Sequence, residues 1–346
     1  MAPRMNYEPV LAPWVWTSAE LAARDGWIFP LSPAALDDID RALADVKQRG
    51  LAMDSITATD FPLPSFTTDL AAIKNSLEGG PGMSLIRGVP VDRYERNDLR
   101  LILWGIGANI GLGAPQSFRG DKIGDVMDMS HTGDIRRSYR SPRPLYLHVD
   151  PVDIVGLLCT RRAKEGGMSL LTSAAALHNT LLAERPDLMP SLYRGFHYSS
   201  TEASSTGEPP VTSYRIPVYR PVGGQIVVNF NASPIGKALD SDDIDEDATA
   251  LEAFELFKET AMRDDLVYRT MLEPGDLQFL NNRVVLHGRT RFEDFPELER
   301  KRHMLRVWLK MPDWVPWPDN MYWHEKGYRL SEGIGLRNEN TQGERA

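Results

Sequence analysis

Residues 272–290 read "LEPGDLQFLNNRVVLHGRT". Within them "GDLQFL" and "RVVLHGRT" are short apolar runs, too short for helices and bounded by Gly, Asn and Pro, as strands are. His287 closes the run "VVL" and is followed by Gly288. Its imidazole is therefore expected at a strand end, near the mouth of a barrel.

Working outward, "RHMLRVWL" (302–309) reads as a third strand. Upstream, "VDIVGLLCTRRA" (152–163) and "SLLTS" (169–173) read as two strands joined through the turn "KEGG". A helix follows, with Ser173 as its cap and "AAALHNTLLA" as its body. "SYRIPVYRPVGGQIVVNFNA" (213–232) reads as a hairpin turning at Gly223 and Gly224. An amphipathic helix is expected over Glu246 to Met262, with Leu251, Phe254 and Phe257 inward.

The first hundred residues are helix-rich. "LSPAALDDIDRALADVKQRG" (31–50) offers Ser32 as N-cap, Pro33 at the first helical position, and Leu36, Ile39, Leu43 and Val46 on one face, ending at Gly50. A short helix over Asp69 to Leu77, a buried strand in "MSLIRGVPV" and a helix in "RNDLRLILWGIGANIG" come next. Short strands with glycine turns, interrupted by helices, predict an α+β, β-rich fold: a barrel or double-sheet jelly roll decorated with helices. A doubly wound parallel sheet needs a more regular strand–helix alternation. One domain is expected over 1–346, with residues 1–80 packed on a core of 81–312 and a tail over 313–346.

The bulk numbers narrow the partners. The 346-residue chain is 42% hydrophobic and 25% charged, with a net charge of −9. That balance argues against nucleic acid, which needs clustered positive charge. The basic runs "RRSYRSPR" (136–143) and "ERKR" (299–302) are short and read as solvated. No apolar run reaches membrane length, the start lacks a signal-peptide core, and the single cysteine, Cys159, fits a reducing compartment. A cytoplasmic protein handling a small molecule, with no nucleic-acid or membrane partner, is the expectation. Self-association is left open.

"LYLHVD" (145–150) carries the chemistry. Leu145, Leu147 and Val149 alternate with Tyr146, His148 and Asp150, so His148 and Asp150 share a face. With His287 they make two imidazoles and one carboxylate, a set that suits non-haem Fe(II) with open positions. Spacing alone is weak evidence, and by itself favours three unrelated structural residues over a metal site. In "RHMLRVWL", Arg302, Met304, Arg306 and Trp308 share one face, with the two arginines about 13 Å apart. Inside a barrel, guanidiniums cost several kcal/mol each unless anions meet them, and a dicarboxylate would do so. On an outer face they would pair with Glu293 or Asp294.

Taken together, "LHVD", "AKEGGMSLLTSAAALHN", "LEPGDLQFLNNRVVLHGRTRFED" and "RHMLRVWL", joined upstream by "RGVPV" and "QSFRGD", resemble the taurine dioxygenase family. This is the clavaminate synthase-like branch of the Fe(II)/2-oxoglutarate oxygenases, and the likeness runs from about residue 80 to 312. It implies a double-stranded β-helix core with Fe(II) held by His148, Asp150 and His287. It implies 2-oxoglutarate contacted by Ser169, the hydroxyl after "GGM", and by Arg302. Arg306 then matches a position that meets an anionic substrate or helps hold the co-substrate. Oxidation of a substrate C–H by O2, with release of succinate and CO2, is the implied reaction. Val149 stands where many relatives have Thr or Ser. The insertion-like "FEDFPELER" leaves the choice between Arg302 and Arg306 as main anchor open. A carboxylate at Asp150 argues against halogenation. A divalent-metal enzyme without oxygen chemistry, or a silent binding protein on the same fold, are the alternatives.

Other features read as structural. "GIGANIGLG" ends a helix instead of opening one, so it is no dinucleotide fingerprint. "GMSLL" lacks the second glycine of a nucleophile elbow. Cys159, His178, His197, His303 and the tryptophans 14, 16, 314 and 317 are expected to serve packing or the surface. Thr59 to Thr68 and Ser199 to Ser213 are expected to be loops that could cover the mouth.

Overall fold

The computed structural model describes residues 7–116, 120–132, 140–199, 210–241 and 244–318. Its strands are, in chain order, Ile28–Pro30 (β1), Met83–Arg87 (β2), Leu112–Ala114 (β3), Ile123–Val126 (β4), Leu145–His148 (β5), Ile154–Arg161 (β6), Glu165–Gly166 (β7), Ser169–Ser173 (β8), Tyr219–Val222 (β9), Gln225–Val228 (β10), Tyr268–Thr270 (β11), Leu277–Asn281 (β12), Val285–Arg289 (β13), Phe292–Glu293 (β14) and His303–Lys310 (β15). A seven-stranded sheet runs β1-β2-β12-β6-β15-β3, with β4 also on β15. A four-stranded sheet runs β11-β8-β13-β5, and its pairings are antiparallel. Helices flank both, so the class is α+β.

Period-2 alternation sorts each strand between two cores. On β15, Leu305, Val307 and Leu309 pack outward with Ile39, Leu43, Ile73, Ile102 and Ile106 of the helices Pro33–Gln48, Thr67–Glu78 and Arg96–Ala108. Met304 and Trp308 face inward, with Val155 and Cys159 from β6, Leu171 from β8 and Val285 from β13. The outer face of the smaller sheet (Leu147, Leu170, Leu286) packs on the helices Ala174–Glu184 and Ala248–Ala261. Gly156 of β6 is a required absence of side chain: a Cβ there would lie 2.6 Å from the Phe279 ring and 2.7 Å from Val307. The space between the two sheets is where the expected site residues meet.

Helix signals in the sequence hold. Ser32 Oγ accepts from Ala35 N at 3.2 Å, and Ile39, Leu43 and Val46 are buried, with Leu36 partly so. Ser173 Oγ accepts from Ala176 N at 3.0 Å and donates to the Trp14 carbonyl at 2.6 Å. The hairpin turns at Gly223 and Gly224, both at positive φ (57° and 82°), as its two-residue turn demands. Three expectations change. β6 and β8 are not a hairpin: "KEGG" carries the chain from one sheet to the other, and Glu165–Gly166 pair with β14 on the way. Leu251 lies 42% exposed, one turn-position off the face that buries Phe254 and Phe257. Thr59 to Thr68 covers no mouth, because Phe61, Leu63 and Phe66 are buried in the outer helical core. Of the second loop, 200–209 lie outside the described residues, as do 136–139 of the basic run and 117–119 of "QSFRGD".

Candidate metal centre and active site

His148 and His287 are direct Cα partners across β5 and β13. Their rings lie 4.4 Å apart, tilted by 43°. Asp150 follows β5, its amide held by Asn282 Oδ1 at 3.0 Å. One ligand atom from each of His148, Asp150 and His287 lies within 4.8 Å of the others, and all three residues are buried. Among the described residues this is the only such group of three.

The protonation states suit a cation. His148 Nδ1–H donates to the Tyr146 carbonyl at 2.8 Å, which leaves Nε2, 3.9 Å from Asp150 Oδ1, as the nitrogen able to take a metal. Burial keeps both imidazoles neutral; it pulls His287, helped by His148, down to about 3. Burial pushes the Asp150 carboxyl up, but its polar neighbours, the Arg306 guanidinium foremost and the Trp308 hydrogen bond among them, outweigh it and hold the group ionised. Trp308 Nε1 donates to Asp150 Oδ2 at 2.8 Å and Arg306 Nη1 to the same oxygen at 3.3 Å. Gln116 Oε1 in turn accepts from Arg306 Nε at 2.7 Å. One carboxylate oxygen is thus tied back, and Oδ1 is left toward the two imidazoles. Two neutral nitrogens and one oriented carboxylate oxygen fit a divalent iron.

The cavity beside this cluster is lined by His148, His287, Ser169, Arg289, Arg302, Arg306 and apolar residues of both sheets. Every site residue expected from the sequence therefore lines it or, for Asp150, adjoins it. Arg302 is buried, and its guanidinium does not pair with Glu293 or Asp294; Asp294 Oδ1 accepts only from the Arg302 backbone, at 2.7 Å. Ser169 Oγ donates to Gln278 Oε1 at 3.3 Å. Leu145 also lines the cavity, against strict alternation. A β-bulge explains it: from His287 to Arg289 is two residues, but their partners His148 and Leu145 are three apart.

Sequence reasoning missed Arg289, Gln278, Gln116 and the tie from Trp308. Arg289 stands two residues after His287, so its place on the same face was legible; nothing local said that this face was the inner one. Of the decoys, His303 is satisfied between Thr160 Oγ1 (2.7 Å) and Asp125 Oδ1 (2.8 Å), and His178 hydrogen-bonds Tyr193 Oη at 2.9 Å.

Facing sheets that hold a two-histidine, one-carboxylate cluster beside buried arginines define a non-haem metal enzyme. The family model of the Taurine catabolism dioxygenase TauD, TfdA family matches residues 45–308, and the chain belongs to that family. It is accordingly a 2-oxoglutarate-dependent non-haem iron dioxygenase. Its relatives include FR-33289 synthase of Streptomyces rubellomurinus, 27% identical over 333 residues, covering 94% of this chain and 97% of that protein. Taurine hydroxylase-like protein SAT17 of Stachybotrys chartarum is 26% identical over 322 residues (87% of this chain, 80% of that one). Among solved structures, asparagine oxygenase with Fe(II), 3-hydroxyasparagine and succinate has a TM-score of 0.64 at 16% identity, covering 82% of this chain and 93% of that one. The non-haem iron oxygenase OrfP with Fe, succinate and (3S)-hydroxy-L-Arg scores 0.62 at 13% identity, covering 82% and 94%. Among the described residues no helix is long and apolar enough to cross a membrane.

Proposed function

We propose that the chain hydroxylates an unactivated C–H of a small, anionic molecule, with His148, Asp150 and His287 holding Fe(II), and Ser169 and Arg302 holding 2-oxoglutarate. The two facing sheets are read as the halves of a double-stranded β-helix. The observation that carries this is the gathering of three ligand atoms within 4.8 Å at one cavity with the buried, acid-free guanidinium of Arg302. When bound, the iron supplies oxygen activation coupled to loss of CO2 from the 2-oxo acid, leaving succinate. The chain supplies position and dryness. His148 is fixed in one tautomer by the Tyr146 carbonyl, and Asp150 is fixed in orientation by Trp308 and Arg306. Arg302 offers a charge-assisted grip on a carboxylate. Leu145, Leu157 and Met304 give the cavity apolar walls.

Arg306 is proposed to meet the anionic group of the primary substrate, since it lines the cavity against Asp150. Solved relatives holding hydroxylated amino acids, which carry carboxylates, support a substrate of that kind.

An anaerobic titration of the metal-free protein with Fe(II) and then 2-oxoglutarate tests the reading. A visible charge-transfer band that is lost in His148→Ala is the expected result. Iron binding without a band in the unmodified protein would refute the co-substrate assignment and favour a metal enzyme of another kind.

A further inference from the structure

Two arginines, not one, bring a guanidinium to the cavity wall beside Ser169. Arg289 ends β13 on the inner face shared with His287, and Ser169 is its direct partner on β8. It is only 4% exposed. Nη2 is tethered, donating to the carbonyls of Ser141 (2.8 Å) and Arg143 (2.6 Å). Nε and Nη1 are buried with no hydrogen-bond partner among the described residues. Among the other buried donors in that condition, Arg302 Nη1 belongs to this cavity wall and Gln278 Nε2 to the residue that Ser169 contacts. The Phe292 ring backs both guanidiniums, 4.5 Å from Arg289 Cζ and 5.4 Å from Arg302 Cζ.

A residue kept only to tie down the 141–143 segment would not leave two N–H groups dry beside a second cation. Unmet buried donors are costly, charged ones more so. Burial and the charge of Arg302 both work against charging Arg289. Yet a guanidinium holds its proton in proteins, so the pair calls for an anion with several acceptor sites. A carboxylate offers about four.

We infer that Arg289 is a second anchor for the distal carboxylate of the 2-oxo acid, gripping it together with Arg302, with Gln278 Nε2 as a neutral donor. This rests on the co-substrate reading above. Arg302 alone can offer one guanidinium edge; the second arginine lets both carboxylate oxygens be met from two sides.

The test compares two ligands that differ only at the far end. Fe(II)-loaded protein is titrated anaerobically with 2-oxoglutarate and, separately, with 2-oxopentanoate, in which a methyl replaces the distal carboxylate; the charge-transfer band reports each Kd. Arg289→Gln is expected to weaken 2-oxoglutarate by about 10- to 100-fold, the loss of one charged hydrogen-bonding partner. It should leave 2-oxopentanoate unchanged, and Arg289→Lys should recover part of the loss. An unchanged Kd for 2-oxoglutarate, or equal weakening of both ligands, would overturn the inference and leave Arg289 a loop tether. Should Arg289→Gln lose iron or fold, Arg289→Lys carries the same comparison, with weakening confined to 2-oxoglutarate expected. An unmodified protein giving no band with 2-oxoglutarate would instead overturn the co-substrate reading, and this inference with it.

Discussion

Replacing Trp308 by Phe isolates one hydrogen bond to the candidate metal ligand. Trp308 is 4% exposed, and its Nε1 is the nearer of the two donors to Asp150 Oδ2, at 2.8 Å against 3.3 Å for Arg306 Nη1. Phe keeps most of the ring's packing between Val155, Met304 and Ala114 and deletes the donor. A hydrogen bond to a charged group contributes about 1.5–3 kcal/mol. Because the Arg306 contact survives, the lower half of that range applies, which is about a 10- to 40-fold weaker grip on a divalent ion. Co(II) is a convenient reporter, titrated against its visible absorption in oxygen-free buffer. Trp16→Phe is the matched control: it is fully buried and its Nε1 donates to the Pro81 carbonyl at 2.9 Å, away from the cluster. It should lower the Tm and leave the Co(II) affinity alone. If Trp308→Phe binds Co(II) like the parent, or if both variants weaken it equally, the idea that Trp308 orients Asp150 is wrong.

Two further outcomes concern stability. Asp153 and Arg283 form a buried pair at 2.6 Å, with Asp153 also accepting from Trp317 Nε1 (2.7 Å) and Met311 N (2.9 Å). Asp153→Ala strands that guanidinium, and urea melts should show a loss of about 3–5 kcal/mol; a loss below about 1 would mean water reaches the pair. Asp125 answers to pH. Burial pushes its carboxyl up, but His303, Arg96 and Arg100 outweigh it and hold it well below the usual carboxylate range. A depressed folded pKa gives stability that is present above the unfolded value of about 3.9 and drains away as pH falls below it. Asp125→Asn should therefore flatten the acid limb of a Tm-versus-pH curve while leaving its neutral end lower; parallel curves would argue against the linkage.

How far the sequence could be read follows from what alternation encodes. A period of two says which side chains of a strand share a face, so His148 with Asp150, and Arg302 with Arg306, were legible as pairs. It does not say which strands are neighbours. That β6 and β8 belong to opposite sheets depends on the path through "KEGG", and the pairing of His148 with His287 spans 139 residues of chain. The resemblance of several motifs, not any one spacing, brought the triad together before the structure did. Leu145 illustrates the remaining limit: a single extra residue in β5 turns it into the cavity, and a bulge leaves no mark in an apolar run. Arg289, Gln278 and Gln116 escaped for another reason. Each looks like an ordinary polar residue until the opposing sheet is known. Helix ends were easier, because Ser32 and Ser173 act within three residues of themselves.

The position of β15 carries a consequence for how the molecule is made. This strand, the last described, lies inside the larger sheet, between β6 on one side and β3 and β4 on the other. Until it inserts, β6 and β4 present open hydrogen-bonding edges, and Arg302, Met304 and Arg306 are missing from the cavity wall. A chain emerging from the ribosome can assemble its outer helices early but cannot close the larger sheet before residues 303–310 are free of the tunnel. Closure of the core is thus a late, long-range event of the slow kind that high contact order imposes. The candidate ligands His148 on β5 and His287 on β13 belong to the smaller sheet, so they can meet before Arg302 and Arg306 arrive opposite them.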